Sequence, residues 1–391
     1  MHERPSLQIL LAEVVYNGIG TPRQDGAVVV EELAGRRTIA DITDRESALR
    51  VWPEATVHDL GFAISPAPVN AHTHLDLTDM PIVDDVYERF IPTVIDFAGS
   101  GRRTLAAAER GVAEVLDSGV TTVGDIVTRR DVLAMLLSHP RLSGVAYWEV
   151  IGMDPDQADA QLLETEELIR EFLPLQRPGG VRLGLTPHTP HTVTDRLMQG
   201  LARLAREYGL PLQIHVEESP LEKPMFLHGQ GELADVRRSF DPNWQPPGIS
   251  AIRHLEQLGV LAARPTLVHM VNVEEEEIRL IQKYSCSVVH CPRSNDQLRC
   301  GRFPWETYAR HGVSVAFGTD SRGSSPSLAV HAEVSHALAL HGGRASAQAL
   351  VRAAVKGGHQ VLGSRTPQLK RGDDAAGLHV WSAVSPVQGA S

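Results

Sequence analysis

From His72 to about Gly363 the chain repeats one pattern, a short apolar run followed by a longer stretch of helical periodicity. The strand-like runs are Val120–Ile126, Gly144–Ile151, Val181–Leu185, Leu210–His215, Thr266–Val271, Ser285–His290 and Val313–Phe317. With the run that enters His72 they make eight. Between them lie helical stretches such as Thr104–Asp117, Asp156–Phe172, Val193–Tyr208, Glu274–Tyr284 and Ala345–Leu362. Strands alternating with helices build parallel sheets, and eight such units in this length predict an α/β fold, a (β/α)8 TIM-like barrel. A doubly wound sheet would need a glycine-rich phosphate turn after an early strand, and this sequence has none.

The ends read differently. Gln8–Val15, Gly26–Glu31, Arg37–Ile42 and Val57–Ile64 are strand-like and punctuated by Gly, Pro and Asp, as is Gly377–Trp381. We expect a small β-sandwich domain built from both termini, residues 1–67 and 364–391, around a barrel of residues 68–363. Two connections, 75–103 and 219–249, exceed the length of ordinary loops and are expected to cover the barrel mouth.

Composition sets the partners. The net charge of −11 over 391 residues disfavours nucleic acid and anionic membrane surfaces and leaves a small-molecule substrate. The apolar run Ile9–Ala12 is too short for a signal core, and no stretch reaches the length of a membrane span. Three cysteines, Cys286, Cys291 and Cys300, form no C-x2-C pair and read as reduced packing residues of a cytoplasmic protein. Nothing here fixes the oligomeric state, and a homo-oligomer is compatible with it.

Barrel active sites lie at the C-terminal ends of the strands. Those ends carry His72 and His74, then His188, His215, His269, His290 and Asp320, a concentration of the chain's 18 histidines that scatter would not give. Residues i and i+2 of a strand share a face, so His72 and His74 can meet one ion. With His215 and Asp320 they make three imidazoles and a carboxylate, a set suited to zinc or ferrous iron, with a position left for water. We expect one divalent metal per chain, zinc first and iron second, lowering the pKa of a bound water. Glu218, three residues past His215, is placed as general acid/base, whereas its neighbour Glu217 reads as a surface acid. His269 is placed to hydrogen-bond the water or a developing oxyanion. The remaining histidines, among them His341 and His379, are assigned no role.

These motifs resemble the amidohydrolase superfamily, in its cytosine/adenosine-type deaminase and chlorohydrolase branch. The residues that carry the resemblance are Pro68–His74, Pro187–Thr192, His215–Glu218, His269, Pro292–Asn295 and Gly318–Ser321, in order over nearly the whole chain. The resemblance implies a mononuclear site with His72, His74, His215 and Asp320 as ligands. It implies Glu218 as the proton shuttle to a ring nitrogen, Asp320 as ligand and base, and His269 as an orienting group. His188, Ser294 and Asn295 match substrate-binding positions. Departures are Ala67-Pro68 in place of Pro-Gly, His191 where relatives carry Tyr, and Glu149 where adenosine-analogue relatives carry Arg.

Within that branch Cys291–Asn295, His215–Glu218 and Thr319–Ser324 resemble the 6-aminodeoxyfutalosine deaminases of menaquinone biosynthesis. This resemblance implies hydrolytic deamination of a purine nucleoside analogue that bears a benzoate in place of the usual 5′ substituent, by attack of metal-bound hydroxide with release of ammonia. A carboxylate wants an arginine, and Arg293, Arg299, Arg302 and Arg322 are the candidates. The alternatives are a chlorohydrolase, a guanine-, cytosine- or adenosine-type deaminase, an imidazolone hydrolase, a binuclear amide hydrolase, and a non-catalytic binding protein on the same fold.

Overall fold

The computed structural model describes residues 5–381, so the outermost residues of the expected terminal domain, 1–4 and 382–391, lie outside it. The N-terminal strands are β1 (Ser6–Val15), β2 (Arg23–Leu33), β3 (Arg36–Asp44), β4 (Thr56–Asp59) and β5 (Ala63–Ser65). The expected single strand Val57–Ile64 is divided into β4 and β5, because Gly61 turns the backbone through φ 81 between them.

Eight parallel strands follow: β6 (Val69–Thr73), β7 (Thr122–Val127), β8 (Ser143–Val150), β9 (Val181–Pro187), β10 (Gln213–Val216), β11 (Thr266–His269), β12 (Ser287–His290) and β13 (Val315–Phe317). They form two four-stranded sheets, β6-β7-β8-β9 and β10-β11-β12-β13. Parallel bridges Leu185–Leu212 and Thr73–Asp320 join the two sheets at both edges, giving a TIM-barrel-like arrangement. Its interior is filled by Val69, Ala71, Ile126, Val145, Tyr147, Val268, Val289 and Ala316. These mostly aliphatic side chains pack the space between the sheets, which leaves chemistry to the ends.

The last strand, β14 (His379–Trp381), pairs antiparallel with β5, bringing the chain's end back to its beginning. With it the terminal strands form one hydrogen-bonded sheet of six, β14-β5-β1-β2-β3 with β4 beside β1. Both of its faces are buried. Ile9, Leu11, Ala27 and Val29 pack under Ala48 of helix Arg45–Val51, while Leu10, Val28, Val30 and Ile39 meet Leu369 and Ala375. A helix and a loop thus cover the faces that a second sheet of the expected sandwich would cover.

Local signals explain the helices. Thr104 and Thr194 cap helices Leu105–Asp117 and Asp195–Tyr208 by accepting from Ala107 and Leu197 N–H. Glu274 and Glu277 form a reciprocal capping box at Glu275–Lys283. The expected helix Ala345–Leu362 is interrupted by a π-helical segment, Ala353–Gly357. A Cβ at Gly357 would lie 2.1 Å from Val315 O, and one at Gly358 2.4 Å from Val69 Cβ, so two glycines let this segment sit directly on β13 and β6.

The long connections carry helices. Residues 75–103 contain the 3-10 turn Leu75–Leu77 and helix Tyr87–Gly99, and 219–249 contain helices Glu222–His228 and Glu232–Phe240. The first crosses the mouth: Val83 N donates to Gly323 O at 2.8 Å, Gln297 Nε2 to Val83 O at 3.1 Å, and Tyr87 N to Leu298 O at 3.2 Å. No helix among the described residues is long and apolar enough to cross a membrane.

Candidate active site

His72 near the end of β6 and His74 just past it face one side where the strand register breaks after Asn70, and β10 presents His215 at the same level. One nitrogen from each of these three rings lies within 4.8 Å of the other two. A second set, Glu218, His269 and Asp320, meets the same limit. Asp320 joins the two, its Oδ1 lying 3.5 Å from His72 Nε2 and 3.3 Å from His74 Nε2. The structure therefore brings together His72, His74, His215, Asp320, Glu218 and His269.

Three strand ends leave regular geometry as they reach this place. Glu217, His269, Met270 and Asp320 have φ of 50, 71, 49 and 58, backbone that non-glycine residues adopt only when surroundings impose it. Met270 N donates to Val216 O at 3.1 Å and Val271 N to Glu217 O at 2.8 Å, which fixes the bend. Glu217, expected as a surface acid, is fully buried, with neither carboxylate oxygen hydrogen-bonded. The left-handed turn tucks it among Glu222 and Glu277, and burial first, then those charges, pushes its carboxyl well up.

The far nitrogens of three of the four imidazoles are spoken for, while His74 Nδ1 is buried with no partner among the described residues. His72 Nδ1 meets Gln213 Oε1 at 2.7 Å, His215 Nδ1 meets His188 O at 3.0 Å, and His269 Nδ1 meets Asn295 Oδ1 at 2.8 Å. Acceptors at these positions assign the proton to Nδ1 and leave each Nε2 a bare lone pair. Two such lone pairs, His72 Nε2 and His215 Nε2, face each other at 3.2 Å with no proton between them. Facing lone pairs beside a carboxylate repel unless a cation sits among them, so the donor set fits a divalent metal.

The carboxylates are pushed apart. Burial alone would raise Asp320, but the imidazoles of His72 and His74 beside its Oδ1 hold it well below the usual carboxylate range. Its Oδ2 also accepts from Ser294 Oγ at 2.6 Å and Ser324 Oγ at 3.0 Å. Glu218 goes the other way, raised well above its ordinary value by burial and by the charges of Asp320 and Glu222. His269 Nε2 lies 3.5 Å from Glu218 Oε2, and burial brings that imidazole down to about 4.

Of the residues expected to touch substrate, His188 packs its ring 5.1 Å from His215 and holds Thr192 Oγ1 at 2.8 Å. Ser294 and Asn295 turn instead onto Asp320 and His269, as supports. His290 is stacked on Phe303, with centroids 4.1 Å apart, inside the wall. The four candidate arginines are engaged elsewhere: Arg293 with Glu333 at 2.6 Å, Arg322 with Glu114 at 2.9 Å, Arg299 with Asp84 at 3.5 Å, and Arg302 with Glu306.

Other contributors went unforeseen. Gln213, on an apolar strand, orients His72. Glu222 accepts from the backbone N–H groups of Glu217, Glu218 and Ser219 at 2.8, 2.7 and 3.3 Å, and so fixes the turn that presents Glu218. The Ser219-x-x-Glu222 spacing is a capping-box signature that could have found it. Tyr87, buried in the crossing helix, feels the charges of Glu218 and Asp320. Glu149 brings a carboxylate oxygen within 4.8 Å of nitrogens of His188 and His215, while its Oε1 is buried without a partner.

Comparison with known proteins agrees in one direction. Residues 63–377 match the model of the amidohydrolase family. An aminodeoxyfutalosine deaminase of Deinococcus radiodurans is 43% identical over 375 residues, covering 94% of this chain and 88% of that protein. A 5-methylthioadenosine/S-adenosylhomocysteine deaminase of Nitratidesulfovibrio vulgaris is 28% identical, over 89% and 77% of the two chains. Among solved structures, Helicobacter pylori aminofutalosine deaminase in complex with methylthio-coformycin superposes with a TM-score of 0.70 at 20% identity, over 94% and 90% of the chains. A zinc-bound adenosine deaminase from Xanthomonas campestris gives 0.68 at 24% identity, over 94% and 83%. The chain belongs to the amidohydrolase family.

Proposed function

We propose that this carbon–nitrogen hydrolase deaminates an aminated purine nucleoside analogue, 6-aminodeoxyfutalosine, in menaquinone biosynthesis. The observation that carries the reading is Glu218, a buried carboxyl with raised pKa, standing 3.5 Å from His269 at the edge of the imidazole cluster. The 43% identity to a protein of that activity supports the choice of substrate.

His72, His74, His215 and Asp320 would hold one divalent ion, zinc in this reading. When bound, the metal supplies a water acidic enough to react at neutral pH. Glu218 carries the proton between that water and the ring nitrogen next to the amine-bearing carbon, a transfer suited to a carboxyl whose pKa is raised toward the working pH. His269 Nε2, bare because Nδ1 is committed to Asn295, accepts from the water and aims it. Asp320 keeps its charge because Ser294 and Ser324 donate to it. Once water has added to the carbon, the amine takes a proton and leaves as ammonia, and the ring is left with a carbonyl.

Residues 1–67 and 364–391 would form the small β domain and 68–363 the catalytic barrel. Three unpaired, buried cysteines fit a reducing cytoplasm. The test is ammonia release from 6-aminodeoxyfutalosine, adenosine, 5′-modified adenosines, guanine and cytosine. A higher kcat/KM for guanine or cytosine than for any nucleoside would defeat this reading.

A further inference from the structure

Glu149 stands next to the last residue of β8, in the row that holds Val145 and Tyr147. Residues two apart on a strand share a face, and Val145 and Tyr147 lie in the barrel's interior. The next step of that row brings a carboxylate to the mouth. The adjoining strand holds its companion. Glu149 lies opposite Thr186 in the β8–β9 ladder, and His188 N donates to Val150 O at 3.1 Å, so Glu149 and His188 are fixed side by side at two strand ends. His188 O accepts from His215 N at 3.0 Å, and the rings of His188 and His215 lie 5.1 Å apart.

A carboxylate oxygen of Glu149 and one nitrogen each of His188 and His215 all lie within 4.8 Å of one another. Glu149 nevertheless makes no hydrogen bond or ion pair among the described residues, and its Oε1 is buried. Asp76, which follows His74 on the same rim, is settled by contrast: Arg103 donates to it at 3.0 and 2.9 Å and Thr128 at 3.3 Å. A carboxylate only accepts, so whatever completes Glu149 must bring a donor. The spacing suits a hydroxyl. An oxygen about 2.8 Å from each of two partners, at a tetrahedral angle, leaves them roughly 4.6 Å apart, so one hydroxyl can bridge the carboxylate and the imidazole.

We propose that Glu149 is a specificity residue that accepts a hydrogen bond from a ribose hydroxyl of the substrate, with His188 on the hydroxyl's other side. This rests on the nucleoside reading above. Of a nucleoside held with its amine-bearing carbon at the imidazole cluster, the sugar is the part that offers hydroxyl donors to the neighbouring wall.

The experiment compares the parent enzyme with Glu149→Gln and Glu149→Leu, each loaded with zinc, on 6-aminodeoxyfutalosine and on its analogues lacking the 2′ or the 3′ hydroxyl. Kd is read in the Glu218→Gln background, where turnover is slow, and ammonia release in the otherwise unchanged enzyme. With Glu149 present, the full nucleoside should be favoured over at least one deoxy analogue on the order of 10- to 100-fold, mainly through Kd and KM. That preference should shrink to roughly twofold or less in Glu149→Leu, while Glu149→Gln, which keeps a neutral acceptor, should hold part of it. Equal losses for all three nucleosides in Glu149→Leu would overturn the proposal in favour of a support for His215. A loss confined to kcat, with the Kd ratios unchanged, would overturn it in favour of a part in proton or ammonia transfer. Equal binding of all three nucleosides by the parent enzyme would overturn it as well. The expected Kd ratios without ammonia release would defeat the deaminase reading alone and leave Glu149 in its place, whereas failure to bind any of the three would end both.

Discussion

Replacing Gln213 with leucine should weaken metal binding by one to two orders of magnitude while the barrel still forms. The glutamine is fully buried; its Oε1 meets His72 Nδ1 at 2.7 Å and its Nε2 donates to Ala71 O at 3.2 Å. Leucine keeps much of the volume and removes both contacts. Without the acceptor, the two tautomers of His72 become comparable in energy, which costs the binding form about 0.4 kcal/mol, a factor of two. Leaving a buried Nδ1–H unpaired and its ring unanchored costs a further ~1–3 kcal/mol. The sum, about 1.4–3.4 kcal/mol, corresponds to a roughly 10- to 300-fold rise in Kd, and loss of the supports of metal-binding histidines typically costs about 10- to 100-fold. The assay is competitive zinc titration of metal-free protein against a chromophoric chelator near neutral pH. Gln213→Glu, which keeps an acceptor, should recover most of the affinity. A leucine variant within about twofold of wild type would refute the assigned proton on Nδ1 and the cage built on it.

Glu218→Gln should retain full metal content and lose kcat by roughly 10²–10⁴, because the proton transfers run through that carboxyl; near-normal turnover would remove it from the mechanism. Elemental analysis of purified protein should find about one transition metal per chain, and a stoichiometry near two would point to binuclear chemistry. His341 is buried with both ring nitrogens unpartnered among the described residues, and burial brings it down to about 4 from the ordinary 6.5. The unfolded chain then binds a proton the folded one refuses, so stability falls as pH drops from 6.5 toward about 4, by up to ~3 kcal/mol from this residue. Thermal melts of His341→Leu across that window should be flatter than wild type, and parallel profiles would discard the argument.

What was legible in the sequence is what strand periodicity and strand ends encode. His72 and His74 share a face because they are two apart, and His215, His269 and Asp320 stand where apolar runs stop. The arginines misled because their partners lie far away in the chain: Arg322 meets Glu114, and Arg293 meets Glu333. Position in sequence carries no trace of such a pairing. Gln213 was invisible for the opposite reason, since one polar residue inside an apolar strand reads as a flaw until the ring across the barrel is seen. Tyr87 lay in a segment read as a loop, where helical faces had not been assigned. Glu217 was read as a surface acid because the left-handed turn that buries it beside Glu218 follows from the grip of Glu222, which spacing alone does not show.

The two seams of the cylinder give the cation a mechanical part beyond its chemistry. His72 and His74 come from one half of the wall, the sheet β6–β9, and His215 and Asp320 from the other, β10–β13. At either edge one parallel bridge joins the halves, backed by a few hydrogen bonds such as His215 N to His188 O and Asp320 N to His72 O. An ion gripped by all four would rivet the halves together, so the empty protein should breathe first along these seams and the loaded one should come apart only as a whole.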